Sequence, residues 1–241
     1  MKKADISVNQ IKELFEAGLH LGHKRNRLHP KARKFIYKIE SGVSIIDLTK
    51  TASQIQVAKE FLKKLAEDGK VLLVVTTKKV ASQQAKQLCS DNNIPYVVTK
   101  WLPGLLTNFE TLIKNVKKLK ELKTEKESGA WEKLTKHEVS KLNKEIAMLE
   151  KFYGGLSNLE KRPNALFVLD TRKEKNAIVE AQKMKIPVVA VIDTNSNPDE
   201  VEYPIVANDD SPTAVSYLLT EIITIYAKFF KNITAEKEIN E

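Results

Sequence analysis

Apolar residues recur along this chain in two rhythms, and the alternation between them predicts its architecture. Val71–Thr76 (VLLVVT), Ala165–Asp170 (ALFVLD) and Val188–Asp193 (VVAVID) are unbroken apolar runs of strand length, as expected for strands buried on both faces. Tyr96–Thr99 after Pro95 and Tyr203–Ala207 are shorter runs of the same kind. Between them lie stretches with three-and-four spacing. Thr49–Ala66 places Ile55, Ala58, Phe61, Leu62 and Leu65 on one side and closes at Asp68-Gly69; Thr77–Ser90, Lys173–Met184 and Asp210–Phe230 read as helices too. Strand alternating with helix predicts an α/β fold, a parallel sheet with helices on both faces, flavodoxin-like or Rossmann-like.

Local signals place the other elements. Ser7-Val-Asn-Gln10 reads as a capping box opening a first helix, with Val8, Ile11, Leu14 and Phe15 on its inner face and Gly18 as its stop. Phe35–Ile39 and Val43–Asp47 read as a hairpin about Ser41-Gly42, and Ser211-Pro212 as the start of the last helix. From Phe109 the period changes: Leu112, Ile113, Val116, Leu119 and Leu122 form one stripe, and Val139, Leu142, Ile146, Leu149 and Tyr153 a second, with Thr135-Lys-His-Glu138 as a capping box between them. These stripes predict an inserted antiparallel α-helical hairpin at 108–153, burying its apolar side mostly against itself. Asn108 is the expected cap of its first helix. The expected division is a discontinuous sheet domain, 1–107 with 154–230, the hairpin, and a polar frayed tail, 231–241.

Charge changes the picture more than composition does. Lys and Arg total 40 against 31 Asp and Glu, a net +9. Leu19–Ile39 alone carries Lys24, Arg25, Arg27, Lys31, Arg33, Lys34 and Lys38, and no acidic residue. Only five residues of the chain are Arg, and three of them are here; Arg grips phosphate with a planar fork of donors that Lys lacks. His20, His23 and His29 lie in the same stretch and can donate to phosphate or stack on bases. With Phe35 and Tyr37 beside them, the expectation is a basic loop that binds a polyanion, RNA first. Conversely, Asp193–Asp210 holds six acidic residues and no basic one, so it is expected to face away from nucleic acid. The single Cys89 excludes an internal disulfide and Cys-cluster zinc sites. No apolar run approaches the ~18 residues of a membrane span, so neither a membrane nor a secretory leader is expected, and a cytoplasmic setting is the default.

Signals for catalysis are few. Neither GxGxxG nor GxxxxGK[ST] occurs. Asp170 and Asp193, at predicted strand ends, would suit a Mg²⁺ site or merely cap turns, and capping is the favoured reading. His20 and His23 resemble half a metal site without a tetrahedral complement. No cofactor and no catalytic residue is expected. Trp101–Asn108 (WLPGLLTN) is a stiff turn in which Trp101 anchors a junction.

Several stretches together are similar to the bacterial-type small-subunit ribosomal protein two family. They are Ala17-Gly-Leu-His-Leu-Gly-His23, Pro30-Lys31, Phe35-Ile36, Ile45-Ile46-Asp47-Leu48, Trp101–Asn108, Ala165–Asp170, Ile186-Pro187, Asp193–Asp199 and Asn208-Asp-Asp210, in family order over nearly the whole length. Pro103 stands where glycine is usual, and Leu28-His29 where Trp-Asn is commoner. The resemblance implies a non-enzymatic protein bound to small-subunit (16S-type) ribosomal RNA between the head and body of the subunit, on its solvent side. It also implies neighbouring ribosomal proteins as partners, among them the mRNA-binding ribosomal protein one, whose joining it supports. An organellar ribosome is the alternative to a cytoplasmic one. The expected RNA-binding residues are His20, His23, Lys24, Arg25, Arg27, His29, Lys31, Arg33, Lys34 and Lys38. The competing functions are a Mg²⁺- or nucleotide-dependent enzyme at the strand ends and a scaffold that docks partners through the hairpin.

Overall fold

The computed structural model describes residues 8–240, with side chains as far as Lys231. Helix α1 (Val8–Glu16) ends at Gly18, whose φ of 79° lets the amide of Leu19 turn back onto the carbonyl of Leu14. Ser7, the expected cap, lies outside the described residues. The predicted inner face is narrower than its spacing implied. Only Leu14 is buried, while Val8 and Phe15 are exposed, because α1 lies against the fold along a single line.

The predicted basic loop is a folded unit. Strand β1 (Leu21–Lys24) is followed by two 3-10 turns, Arg25–Arg27 and Pro30–Phe35, and by the hairpin of β2 (Ile36–Glu40) and β3 (Val43–Ile46). These strands make a small antiparallel sheet in the order β1-β3-β2. Ser41 and Gly42 both have positive φ, 48° and 79°, the backbone that a two-residue turn needs to match strand twist. Asp47 caps α2 (Leu48–Glu67), accepting from the amide of Thr49 at 3.1 Å.

Strands β4 (Leu72–Val75), β5 (Tyr96–Val97), β6 (Ala165–Leu169), β7 (Val188–Ile192) and β8 (Tyr203–Val206) form the main sheet. All neighbours are parallel and the order is β5-β4-β6-β7-β8. With β4 as first strand this is the 2-1-3-4-5 winding of flavodoxin-like folds, in which the strand order reverses between β4 and β6. The apolar runs are buried on both faces, as their lack of alternation predicted. Leu72, Val74, Phe167, Leu169, Val189 and Val191 meet α1, α2, α3 (Lys79–Asp91) and the last helix. Leu73, Val75, Leu166, Val168, Ala190 and Ile192 meet α6 (Lys175–Lys183) and the Trp101–Leu106 turn.

Two helices lie between β5 and β6 in the chain: α4 (Phe109–Glu127) and α5 (Lys136–Tyr153). Asn115 bonds Tyr153 and Lys126 bonds Asn143, so the two run in opposite directions. Thr135 and Glu138 form the predicted capping box. Asn108 occupies the cap position of α4, but its side chain makes no cap bond. The helices do not pack on one another alone. Leu119, Leu122, Trp131 and Leu149 form a cluster of their own, whereas Phe109 and Val116 belong to the core beneath the sheet, and Tyr153 packs against both.

Helix α7 (Pro212–Asn240) runs past the predicted end at Phe230, through residues expected to be a frayed tail. Its Pro212–Lys231 segment is long and apolar enough to cross a membrane, contrary to the expectation that no stretch is. Its composition has another cause here: Val215, Leu218, Leu219, Ile222, Ile223 and Tyr226 are buried in the core with α2 and the sheet.

Candidate nucleic-acid interface

Main-chain bonds seat the basic segment on the carboxyl ends of β7 and β8. The amide of His29 donates to the carbonyl of Thr194 at 2.8 Å, and that of Asn208 to the carbonyl of Leu19 at 3.2 Å. The amide of His23 donates to Thr194 Oγ1 at 2.9 Å. Leu19 and Ala32, both fully buried, fasten the segment from within.

Side-chain charges complete the attachment. His23 Nδ1 lies 3.0 Å from Asp193, and Nε2 lies 3.1 Å from Asn195 Nδ2 and 3.6 Å from Asp210. The bond that the ring donates to Asp193 holds the imidazole pKa above its ordinary 6.5, against the opposing effect of burial. Protonated His23 therefore stabilises the fold fully below pH 6.5, and this contribution fades as pH rises through the raised value. One atom each of His23, Asp193 and Asp210 falls within 4.8 Å of the others, an N/O donor set that could hold a divalent ion. Sequence reasoning paired His23 with His20 instead. His20 turns away, its ring stacked on Phe15 at 4.2 Å, and burial lowers its pKa.

Beside His23, at the crevice between β4 and β6, stands Lys78. Its ammonium lies 2.6 Å from Asp209, 2.7 Å from Asp210 and 3.4 Å from Asp170. Burial by itself would lower the lysine pKa, but the bonds to Asp209 and Asp210 outweigh it and raise it. Asp209 is pulled the other way. Burial, with Asp170 and Asp193 nearby, pushes it up to about 7 against the bond from Lys78. Held 2.6 Å from a fixed cation, Asp209 gains its charge as pH rises through that value. Asp170 and Asp193 serve as turn caps: Asp170 accepts from the amides of Arg172 and Lys173, and Asp193 from the amide of Thr194.

The acidic segment does not face away from the basic one, as its charge had suggested. Asp193 and Asp210 meet His23, and Asp199 lies 3.3 Å from Lys31 and 2.9 Å from Lys34. Opposite charges far apart in sequence attract once the sheet brings the β7 and β8 ends beside the segment, and part of the +7 is neutralised internally. Lys38 pairs with Glu40 at 2.9 Å, and His29 Nδ1 accepts from the amide of Lys31. Lys24, Arg25, Arg27 and Arg33 are exposed and make no ion pair among the described residues. A cleft of about 490 Å³ opens at their base, lined by Gly22, His23, Lys24 and Arg27 on one side and Asp193 and Asp210 on the other.

Sequence reasoning missed Lys78, because a lysine opening a helix has no local signature; its partners lie on two distant loops, at Asp170 and at Asp209-Asp210. It placed Arg172 at the carboxyl end of β6 but gave it no part in binding RNA, although scarcity of Arg could have drawn attention to it.

Gly22 shows how closely the segment is seated. A Cβ there would stand 2.5 Å from Thr194 Cγ2 and 3.0 Å from the Ser44 carbonyl, whereas one at Gly42 would meet nothing within 4 Å. Gly22→Ala is expected to destabilise the protein by about 1–3 kcal/mol through overpacking. Gly42→Ala should cost only its backbone strain, about 1 kcal/mol. Urea denaturation of the two variants checks the order; equal losses would mean that the seat is loose.

An exposed cationic platform, tied by its own histidine to the end of a flavodoxin-like sheet, suits a polyanion better than a small substrate. Residues 14–228 match the family model described as "Ribosomal protein S2", and this chain belongs to the ribosomal protein S2 family.

Proposed function

We propose that this chain, a structural and non-enzymatic protein of the small ribosomal subunit by its family, is anchored on small-subunit ribosomal RNA by its 19–39 segment. The observation that carries the reading is the set of exposed, unpaired Lys24, Arg25, Arg27 and Arg33 on a platform bonded to the main sheet. Lys31, Lys34 and Lys38 add charge at the rim, already shared with Asp199 and Glu40. His29 stands at the edge of the same surface, while His20 and His23 act from within by holding the segment in place. Such contacts grip the phosphate backbone and orient the protein without reading base sequence. The 108–153 helices then serve as an arm that docks against neighbours. The family resemblance supports a site between head and body of a cytoplasmic subunit, from which the protein helps the mRNA-binding ribosomal protein one to join.

The test is Arg25→Glu with Arg27→Glu, assayed for binding to small subunits lacking this protein. Affinity is expected to fall roughly 10–100-fold at moderate salt. The slope of log affinity against log salt should flatten by about 1.4–1.8, at 0.7–0.9 per lost phosphate contact. Unchanged affinity and slope would remove the segment as anchor. Ribosomal protein one recovered on the reconstituted subunits reads out the second role.

A further inference from the structure

A second basic group, unassigned so far, adjoins the platform. After β6 the chain reads Thr171-Arg-Lys-Glu-Lys175. Asp170, with a φ of 70°, turns it back sharply, and its carboxylate caps the amides of Arg172 and Lys173. The turn brings Arg172 to two adjoining clefts. In one, of about 380 Å³, Arg172 and Lys173 stand with Arg27 of the basic segment. In the other, of about 400 Å³, Arg172 and Lys175 stand with His29, the Asn195–Asn197 turn and one carboxylate, Glu200.

Charge bookkeeping shows which groups are open to a ligand. The carboxylates under the first cleft, Asp170, Asp209 and Asp210, are all within 3.4 Å of Lys78, and Asp210 also faces His23. Arg27, Arg172 and Lys175 make no ion pair among the described residues. Two guanidinium groups from distant parts of the chain thus converge; Lys78 holds the carboxylates of the first cleft, and in the second Arg172 and Lys175 outnumber its one carboxylate, Glu200. Thr171 supplies an independent observation. It lines the second cleft at 2% exposure, and its hydroxyl is buried without a protein partner. Helix α6 starts at the same place, and Glu174 at its cap position makes no side-chain cap bond, so its first amides add partial positive charge.

We propose that the cleft of Thr171, Arg172, Lys175 and His29 is a second phosphate site, which takes a phosphodiester of the RNA backbone beyond the one met by Arg27. This rests on the reading that the basic segment binds ribosomal RNA, and extends that interface onto the β6–α6 turn. Arg is suited to the position because its fork can hold two oxygens of one phosphate, and a partly enclosed cleft strengthens such a bond.

The experiment compares wild type, Arg25→Glu/Arg27→Glu and Arg172→Glu/Lys175→Glu for binding to small-subunit ribosomal RNA over a range of salt, with thermal denaturation of each to confirm folding. The second pair is expected to weaken binding roughly tenfold and to flatten the salt slope by about 0.7–1.8, or one to two contacts. Arg172→Lys, which folds alike and keeps the charge, should lose affinity by a smaller factor. Wild-type affinity and slope in Arg172→Glu/Lys175→Glu, with the Arg25/Arg27 pair weakened, would overturn this site and leave the anchor intact. No binding by wild type would defeat the anchor reading itself. A titration with inorganic phosphate separates the sources: phosphate binding lost in the Arg172/Lys175 pair, with RNA binding unaffected, would make the cleft a small-anion pocket and overturn the proposal.

Discussion

Replacing Lys78 by methionine is expected to cost about 3–5 kcal/mol of folding stability at pH 8. The substitution keeps most of the volume and removes only the cation that Asp170, Asp209 and Asp210 share. Breaking a largely buried ion pair from one side leaves the other charge desolvated and unpaired, which is why the loss exceeds that of a surface pair. The Lys78 side chain is 15% exposed and that of Asp209 5%, which places the pair in the costly class. Acid should relieve the variant. Asp209 has a pKa of about 7 even with Lys78 beside it, and without the cation it rises further. A carboxylate whose folded pKa lies above its unfolded value penalises the fold above the folded pKa, and the penalty disappears as pH falls towards the unfolded value near 4. Urea denaturation of both proteins at pH 8 and pH 5.5 should show the difference shrinking at the lower pH. A deficit under about 1 kcal/mol, or one of equal size at both pH values, would show that the three carboxylates are solvated and need no counterion.

Glu180→Ala should be of similar size, about 3–5 kcal/mol, for a different reason. Glu180 sits on α6 and accepts from the indole of Trp101 at 3.0 Å and from the amides of Gly104 at 2.8 Å, Leu106 at 3.1 Å and Thr107 at 3.3 Å. One carboxylate thus satisfies the donors of the whole 101–107 turn, which links β5 to α4. Buried donors left without an acceptor cost ~1–3 kcal/mol each, and water entering the gap recovers part of that. Glu180→Gln keeps the shape but turns one accepting oxygen into a donor, and should fall between. The pH dependence follows. Burial would raise the carboxyl pKa, but the bonds from Trp101, Gly104, Leu106 and Thr107 outweigh it and hold it below the ordinary 4.5. Its stabilisation is present above that value and fades as pH falls through the lowered one. Trp101 fluorescence followed during urea denaturation reports on the turn directly. Identical melts for wild type and Glu180→Ala would show that the turn holds itself.

The strand positions of the main sheet were readable because unbroken apolar runs of four to six residues have few other uses in an α/β chain. The turn at Ser41-Gly42 and the Thr135–Glu138 capping box were equally local and equally readable. Helix α1 was read too generously, since periodicity records which residues lie along one line and not how wide a surface covers them. The segment 19–39 was recognised by charge, but its part before Phe35 was taken for a loop. Its strand β1 is four residues long with Gly22 and His23 inside it, and it exists because β3 pairs with it. The acidic run after β7 was sent to the opposite side on charge alone. Segments of opposite charge polarise a molecule when they are held apart, but here the β7 and β8 ends hold Asp193, Asp199 and Asp210 against the basic residues.

What the chain determined by itself, then, is what acts over a few residues: strand and helix periods, caps, tight turns, and the concentration of Arg and Lys at 19–39. Those terms depend on neighbours within one turn or one pleat, so they survive without knowledge of the fold. Tertiary structure alone decided which charges stay free. Whether Arg27 and Arg172 line one cleft, whether His23 stands beside Asp193, and whether Lys78 is a surface lysine or the counterion of three carboxylates all depend on loops brought together at the carboxyl ends of parallel strands. Coulomb and hydrogen-bond energies are set by distance in space and by desolvation, and neither is written in the order of residues.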